Sequence, residues 1–256
     1  MTTSTMYSNN YTFGFRQIPE EIRQQLVNQV FTKVAGRYDL MNDLMSGGLH
    51  RIWKSTLIGM LNLSCNNTPY KILDVASGTG DIALRSLTAS KSNVSLVLND
   101  INSKMLNISM HRPEMEAFAK RASFVQSNAE ELPFLDKSFD AYTIAFGIRN
   151  VTHIDKALKE AYRVLKIGGR FLCLEFSEVQ VPILDKLYDF HSFKVIPQLA
   201  KLTVGEEDPY KYLVESIRQF PNQVAFSKMI SDVGLSNIRV VNLSGGIAAI
   251  HSGWRL

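Results

Sequence analysis

The chain of 256 residues predicts an α/β fold, a mostly parallel sheet of seven strands with helices on both faces. Three observations point there. Apolar, strand-like runs alternate with helix-length amphipathic stretches between Tyr70 and Phe176. A glycine turn, Gly78-Thr79-Gly80, links the first of these runs to the first of these helices. The chain then ends on two strand-like stretches about Gly245-Gly246, which suit a hairpin added to a parallel sheet.

The elements follow in order. Residues 1–12 are polar and read as a flexible start, with 13–256 as a single domain. Over 19–34, Ile22, Leu26, Val30 and Val34 fall at helical spacing, and Pro19 suits a first helical turn. The stretch 38–61 is amphipathic on both sides of a Gly47-Gly48 break, and Met41, Leu44, Met45, Leu49, Ile52 and Trp53 are its apolar positions. These helices precede the sheet, so 13–66 is expected to form an N-terminal helical lid. Strands are predicted over 70–75, 93–99, 121–126, 139–145 and 170–176, with helices over 80–90, 102–119 and 152–166. Residues 178–220 read as a helical insertion, with helices over 183–202 and 210–220. A helix over 221–233, closed by Gly234, and strands over 235–243 and 247–251 complete the prediction.

Composition excludes several classes. Apolar residues make up 45% and charged residues 20% of the chain, the balance of an ordinary globular enzyme. The net charge of +4 is spread without a basic cluster, so no nucleic-acid partner is expected. Cys65 and Cys173 stand far apart and read as reduced thiols. None of the five histidines stands at metal-ligand spacing, and no metal is expected. No apolar run reaches the roughly 18 residues of a membrane span. Met1 to Tyr11 lacks a signal core or transit pattern, so a cytoplasmic protein is expected.

The glycine turn marks a nucleotide-type pocket. Gly78 and Gly80 let a ligand approach the backbone, and G-x-G-x-x-A with Asp100 twenty residues on also fits a dinucleotide fingerprint. The flanking carboxylates separate the two ligands. Asp81 stands in the first helical turn, where a pyrophosphate would lie, and at roughly 5 Å and an effective dielectric near 20 each charge pair costs about 3 kcal/mol. S-adenosyl-L-methionine carries a sulfonium and an ammonium instead, which Asp74 and Asp81 suit, while Asp100 can accept from both ribose hydroxyls. Asp81 could equally serve only the helix dipole, and Asp100 could be an ordinary strand-end acid.

Three further stretches sit where open sheets bind ligands. Asn128 could bond the edge of an adenine with Leu132 and Phe134 as apolar contacts, or the stretch could form a plain surface turn. Arg149, after the fourth strand, could hold an oxyanion or pair on the surface. Tyr38 to Lys54 mixes thioethers with polar groups as a lid over an apolar ligand would, or is a helix packed on the core with His50 incidental.

Tyr38 to Trp53 reads Y-D-L-M-N-D-L-M-S-G-G-L-H-R-I-W, Arg163 to Ser177 reads R-V-L-K-I-G-G-R-F-L-C-L-E-F-S, and F-G-I-R-N-V, Y-L-V-E-S-I-R-Q-F-P and H-S-G-W follow at 146, 212 and 251. On these motifs the sequence resembles the ubiquinone/menaquinone biosynthesis C-methyltransferase family (UbiE type). The resemblance implies a class I S-adenosylmethionine-dependent methyltransferase (Rossmann-like) fold, S-adenosyl-L-methionine as donor and a reduced polyprenyl quinone, demethylmenaquinol or 2-methoxy-6-polyprenyl-1,4-benzoquinol, methylated on ring carbon. It implies Thr79, Asp100, Asn128 and Ala129, with Gly78 and Gly80 of the turn, as cofactor contacts. Ala145 replaces a serine that touches the cofactor in many members, and Ile167 replaces a proline before Gly168-Gly169. For catalysis Arg149 is expected to hold the phenolate, and His50, Tyr38 or a water to take the proton. Peripheral contact with the inner face of the membrane, other quinone-biosynthesis enzymes and a homo-oligomer are the partners the resemblance allows. The competing readings are a methyltransferase acting on another small molecule, a nicotinamide-dependent oxidoreductase and a non-catalytic cofactor-binding partner.

Overall fold

A computed structural model describes residues 10–61, 63, 68–179 and 208–256. Its centre is a seven-stranded sheet. The strands are β3 (Tyr70–Val75), β4 (Val94–Asp100), β5 (Ala122–Gln126), β6 (Phe139–Ala145), β7 (Leu165–Phe176), β8 (Ser236–Leu243) and β9 (Ala248–Trp254). Their order is β5-β4-β3-β6-β7-β9-β8, parallel from β5 to β7 and antiparallel in the last two pairs. The chain leaves β3 toward β4 on one side and returns to β6 on the other, which opens a crevice beyond the carboxyl ends of these strands.

The inner strands form because their side chains can be buried on both faces. On β3, Ile72 joins one core with Trp53, Leu57 and Leu87, while its neighbour Leu73 joins the other with Leu158, Phe171 and Phe226. On β7, Leu172, Leu174 and Phe176 alternate in the same way with Phe171 and Cys173. Helices α3 (His50–Leu61) and α4 (Asp81–Ala89) cover the first face, and α7 (Ile154–Val164) and α9 (Gln223–Asp232) cover the second.

Before the sheet lie a hairpin, β1 (Asn10–Phe13) with β2 (Arg16–Pro19), then α1 (Glu20–Val34) and α2 (Tyr38–Ser46). The hairpin corrects the expectation of a loose start through residue 12. It is fixed because Phe13 stacks on Tyr212 at 4.4 Å and Glu215 accepts the Phe15 amide, both from α8 (Asp208–Gln219). The helix predicted over 102–119 is also corrected, into α5 (Ser103–Met110) and α6 (Pro113–Glu116). Pro113 has no amide hydrogen to give the preceding turn, so it starts a new helix instead. The expected helix over 183–202, and Cys65, lie outside the described residues. Cys173 is buried with a free thiol. Among the described residues no helix is long and apolar enough to cross a membrane.

Candidate active site

The crevice at β3, β4 and β6 is a cleft of two lobes that share Tyr38, Ala76, Gly78 and Phe146. The larger, about 620 Å³ of space open in part to solvent, runs from Asp100 past Asn128 and Ala129. The smaller, about 340 Å³, holds Lys54, Asp74, Ser77, Thr79, Asp81 and Ala145. Two turns are forced together at the junction. Ala76 after β3 and Phe146 after β6 both take positive φ, 50° and 56°, and a side chain on Gly147 would strike the Ala76 methyl. Strained backbone of this kind is held only by well-packed surroundings and gathers where ligands bind.

Asp100 organises the larger lobe. One carboxylate oxygen accepts the Gly78 amide at 2.8 Å and the other accepts the Asn102 amide at 2.8 Å, so the side chain ties the glycine turn to the end of β4. Burial raises its pKa, while these amides oppose the rise. Asn128 makes the turn and also stands at the cleft. Its side-chain oxygen accepts the Glu130 amide as a turn-forming asparagine does, and it lines the cleft beside Ala129. Leu132 and Phe134 are corrected as adenine contacts. Leu132 is buried in the second core and Phe134 packs edge-on against Phe139, because the turn at 128–134 folds back onto the sheet. The apolar walls come instead from Val27 and Phe31 on α1 and from Ile101 and Met105. Nothing in the spacing of α1 distinguishes a helix that roofs a ligand from one that packs on a core, so sequence reasoning missed them.

The smaller lobe is charged. Asp74 is 1% exposed, and its Oδ1 accepts the Thr143 hydroxyl at 2.7 Å. Its Oδ2 has no partner among the described residues, and burial pushes its pKa up to about 7. Asp81 differs from the bare anion the sequence argument assumed. Burial pushes its pKa up, but Lys54 at 2.8 Å and Arg85 at 2.9 Å outweigh this and hold the carboxyl below its usual range. Its repulsion of a phosphate is therefore largely compensated, and Asp74 is the uncompensated acid.

Thr79 and Gly78 face the cleft, and Ala145 does too, so the hydroxyl expected there on the resemblance is absent from the wall itself. Gly80, with φ of 82°, does not line it. A side chain there would be driven into Ser109 and Leu98, so this glycine allows the close packing of α4.

The expected catalytic residues separate. Tyr38 touches both lobes, and burial pushes its phenol up to about 12, which keeps it protonated at neutral pH. His50 is 3% exposed and does not line the cleft. Its Nε2 meets Asp43 at 2.8 Å, so the neutral ring carries its proton there and leaves Nδ1 an acceptor without a partner among the described residues. Burial lowers its pKa, so this neutral form prevails at pH 7. Arg149 donates to Glu175 at 2.6 Å and to the Phe146 carbonyl at 2.7 Å, the pair being almost wholly buried. The cation is committed to an internal partner, and its side chain borders a second cavity of about 550 Å³ with Arg23, Tyr11 and Tyr212. Met41 and Met45, expected to flex over an apolar ligand, are core residues at 2% exposure.

Comparison with known proteins agrees with this geometry. The model of the ubiE/COQ5 methyltransferase family matches residues 19–255. A ubiquinone/menaquinone biosynthesis C-methyltransferase UbiE of Rhizobium etli is 57% identical over 245 residues, 96% of this chain and 95% of that protein. Its counterpart in Rhodopseudomonas palustris is 56% identical, over 95% and 96%. Among solved structures, a SAM-dependent methyltransferase of Thermotoga maritima superposes with a TM-score of 0.59 at 19% identity, over 90% of this chain and 100% of that one. The [4+2]-cyclase SpnF superposes as well, with a TM-score of 0.59 at 15% identity, over 91% and 96%. That a cyclase shares the architecture shows that the fold is common to different chemistries, and that the site must carry the function.

Proposed function

From the premise that the chain belongs to the ubiE/COQ5 methyltransferase family, we propose that it methylates a ring carbon of a reduced polyprenyl quinone with S-adenosyl-L-methionine as donor. The observation that carries this reading is an identity of 57% and 56% to two relatives over nearly the whole chain. The cleft fits the donor on its own terms. Asp100 retains carboxylate lone pairs at the lobe lined by Asn128 and Ala129, where ribose hydroxyls and adenine belong. The unpartnered oxygen of Asp74 suits an ammonium in the smaller lobe. When bound, the donor supplies a methyl group activated on a sulfonium.

The protein then has to orient the ring, exclude water and stabilise negative charge on the quinol oxygen. Alignment alone can supply several kcal/mol of the barrier. Tyr38 and Phe146, common to both lobes, are the surfaces between which the ring is held. Phe146 is backed by Phe176 and Trp53 at ring distances of 4.9 and 6.3 Å, which keeps this wall dry and stiff. Arg149 holds the strained Phe146 turn by its carbonyl and brings a buried cation near the ring, with its Nε still without a partner among the described residues. A bound water takes the proton in this scheme, since Tyr38 is held protonated and His50 Nδ1 is buried outside the cleft.

Since the acceptor carries a prenyl tail, the lid is also proposed to touch the membrane surface, where Phe15, Leu40 and Ile52 stand exposed. Homo-oligomers and contact with other quinone-biosynthesis enzymes fit the same reading. Radiolabelled methyl incorporation, measured separately with demethylmenaquinol and 2-methoxy-6-polyprenyl-1,4-benzoquinol, tests it. Label in at least one quinol is expected, and label in neither, with the donor bound, would refute it.

A further inference from the structure

We propose that Lys54 recognises the α-carboxylate of the methyl donor, making the smaller lobe a site for a zwitterion with Asp74 on the ammonium side and Lys54 on the carboxylate side. The proposal rests on the donor reading above and adds to it how the amino-acid end of the donor is held.

Lys54 comes from α3, far in sequence from the glycine turn, yet it lines the same lobe as Asp74, Ser77 and Thr79. It is 3% exposed. An ammonium taken out of water is costly unless its donors find partners. It has three donors, and the contact with Asp81 at 2.8 Å uses one. Asp81 is shared, since Arg85 bonds its other oxygen at 2.9 Å. Two cations therefore share one carboxylate, and the surplus positive charge lies at the lobe.

The rest of the lobe is complementary. The Ser77 hydroxyl is buried and has no partner among the described residues, so it can give a second hydrogen bond to an anion beside Lys54. Asp74 Oδ2, likewise buried and without a partner there, offers the acceptor that an ammonium needs. Buried polar groups are nearly always satisfied, so three with donor or acceptor capacity unspent around one small cavity point to a ligand with both signs of charge. A phosphate would satisfy Lys54 and Ser77 but leave Asp74 opposed. An amine alone would do the reverse.

Calorimetric binding of three ligands tests the assignment: S-adenosylhomocysteine, its decarboxylated analogue with an aminopropyl chain, and its deaminated analogue with a carboxypropyl chain. In the wild-type protein, removing the carboxylate should weaken binding roughly 10- to 100-fold, the range of a charge-assisted hydrogen bond. Lys54→Met should cause a similar loss for S-adenosylhomocysteine and for the deaminated analogue, and leave the decarboxylated one unchanged. Equal affinity of the wild type for the decarboxylated analogue and S-adenosylhomocysteine would overturn the proposal. So would a uniform loss of all three ligands in Lys54→Met, the mark of a brace between α3 and α4. The wild-type comparison needs no variant, and Lys54→Gln replaces Lys54→Met if the latter does not fold. Failure of the wild type to bind any of the three would instead refute the donor reading itself.

Discussion

At Asp74 one carboxyl group sets how both stability and ligand affinity respond to pH. Its pKa in the folded protein, about 7, lies above the ordinary carboxylate range because the group is buried with a single hydroxyl donor. The native state therefore holds this proton to higher pH than the unfolded chain does. The group's stabilising contribution is complete below about pH 4 and is lost as the pH rises toward 7. Urea midpoints of the ligand-free protein should carry a downward contribution between these values, and Asp74→Asn should remove it. An ammonium ligand needs the ionised form, so affinity for S-adenosylhomocysteine should fall by up to about tenfold per pH unit below 7. The same substitution should flatten that slope in calorimetry. Arg149 and Glu175 present the opposite case, a buried pair that compensates itself at 2.6 Å. Arg149→Met leaves Glu175 alone in the core and should cost about 3–5 kcal/mol in denaturant unfolding. Adding Glu175→Gln should recover a large part of that loss. Turnover should remain low in both variants if the guanidinium serves the reaction as well as the fold.

The element that decides access to the cleft is α1. Gln24, Val27, Asn28 and Phe31 line one wall of the cleft, so movement of the helix is expected to speed the entry and exit of a ligand. It is pinned at several points. Arg23 donates to the carbonyls of Thr12 and Asn150 and to the Thr152 hydroxyl. Asn102 reaches the Asn28 carbonyl and the Thr32 hydroxyl, and Glu20 meets His153 at 2.7 Å. Arg23→Met removes the most bonds at once while keeping the side chain's bulk. It should speed release of S-adenosylhomocysteine in stopped-flow by about tenfold or more, since at least one net hydrogen bond of about 1–1.5 kcal/mol is lost. An unchanged release rate would mean that the ligand leaves by another route. None of these tethers was legible in the sequence, because each joins residues whose pairing only the fold creates. What was legible at this scale is local. The alternation that predicts β3 and the glycine turn before α4 depend on neighbours in the chain, and the structure has them there. The helix over 102–119 failed because apolar spacing continues across Pro113 while the hydrogen-bond ladder cannot.

For the molecule as a whole, the mostly parallel sheet and its terminal hairpin followed from the alternation of strands with helices, while the order of the strands, and the crevice it opens, came from the structure. Gly78, Asp100 and Asn128 could be named beforehand from their places at strand ends, and Thr79 and Ala129 from the family resemblance; all five line the cleft. The electrostatics could not be read in the same way. Asp81 looked like the decisive anion until α3 brought Lys54 against it, a contact set by helix packing and not by spacing. The choice between a sulfonium and a dinucleotide therefore rests on family membership and on Asp74, and a measurement on the intact protein separates them. A ligand at 100 times its Kd stabilises the folded state by about 2.7 kcal/mol. In a chain of this length each kcal/mol moves the melting temperature by about 2–4 °C. S-adenosylhomocysteine at such a concentration should raise the melting point by roughly 5–10 °C. NADH, whose pyrophosphate finds Asp74 unsatisfied and no second cation without breaking the Asp81 pairs, should leave it within about 1 °C. A shift with NADH and none with S-adenosylhomocysteine would mean that the cleft selects a phosphate, and that the assignment of Asp74, Asp100 and Lys54 to a methyl donor is wrong.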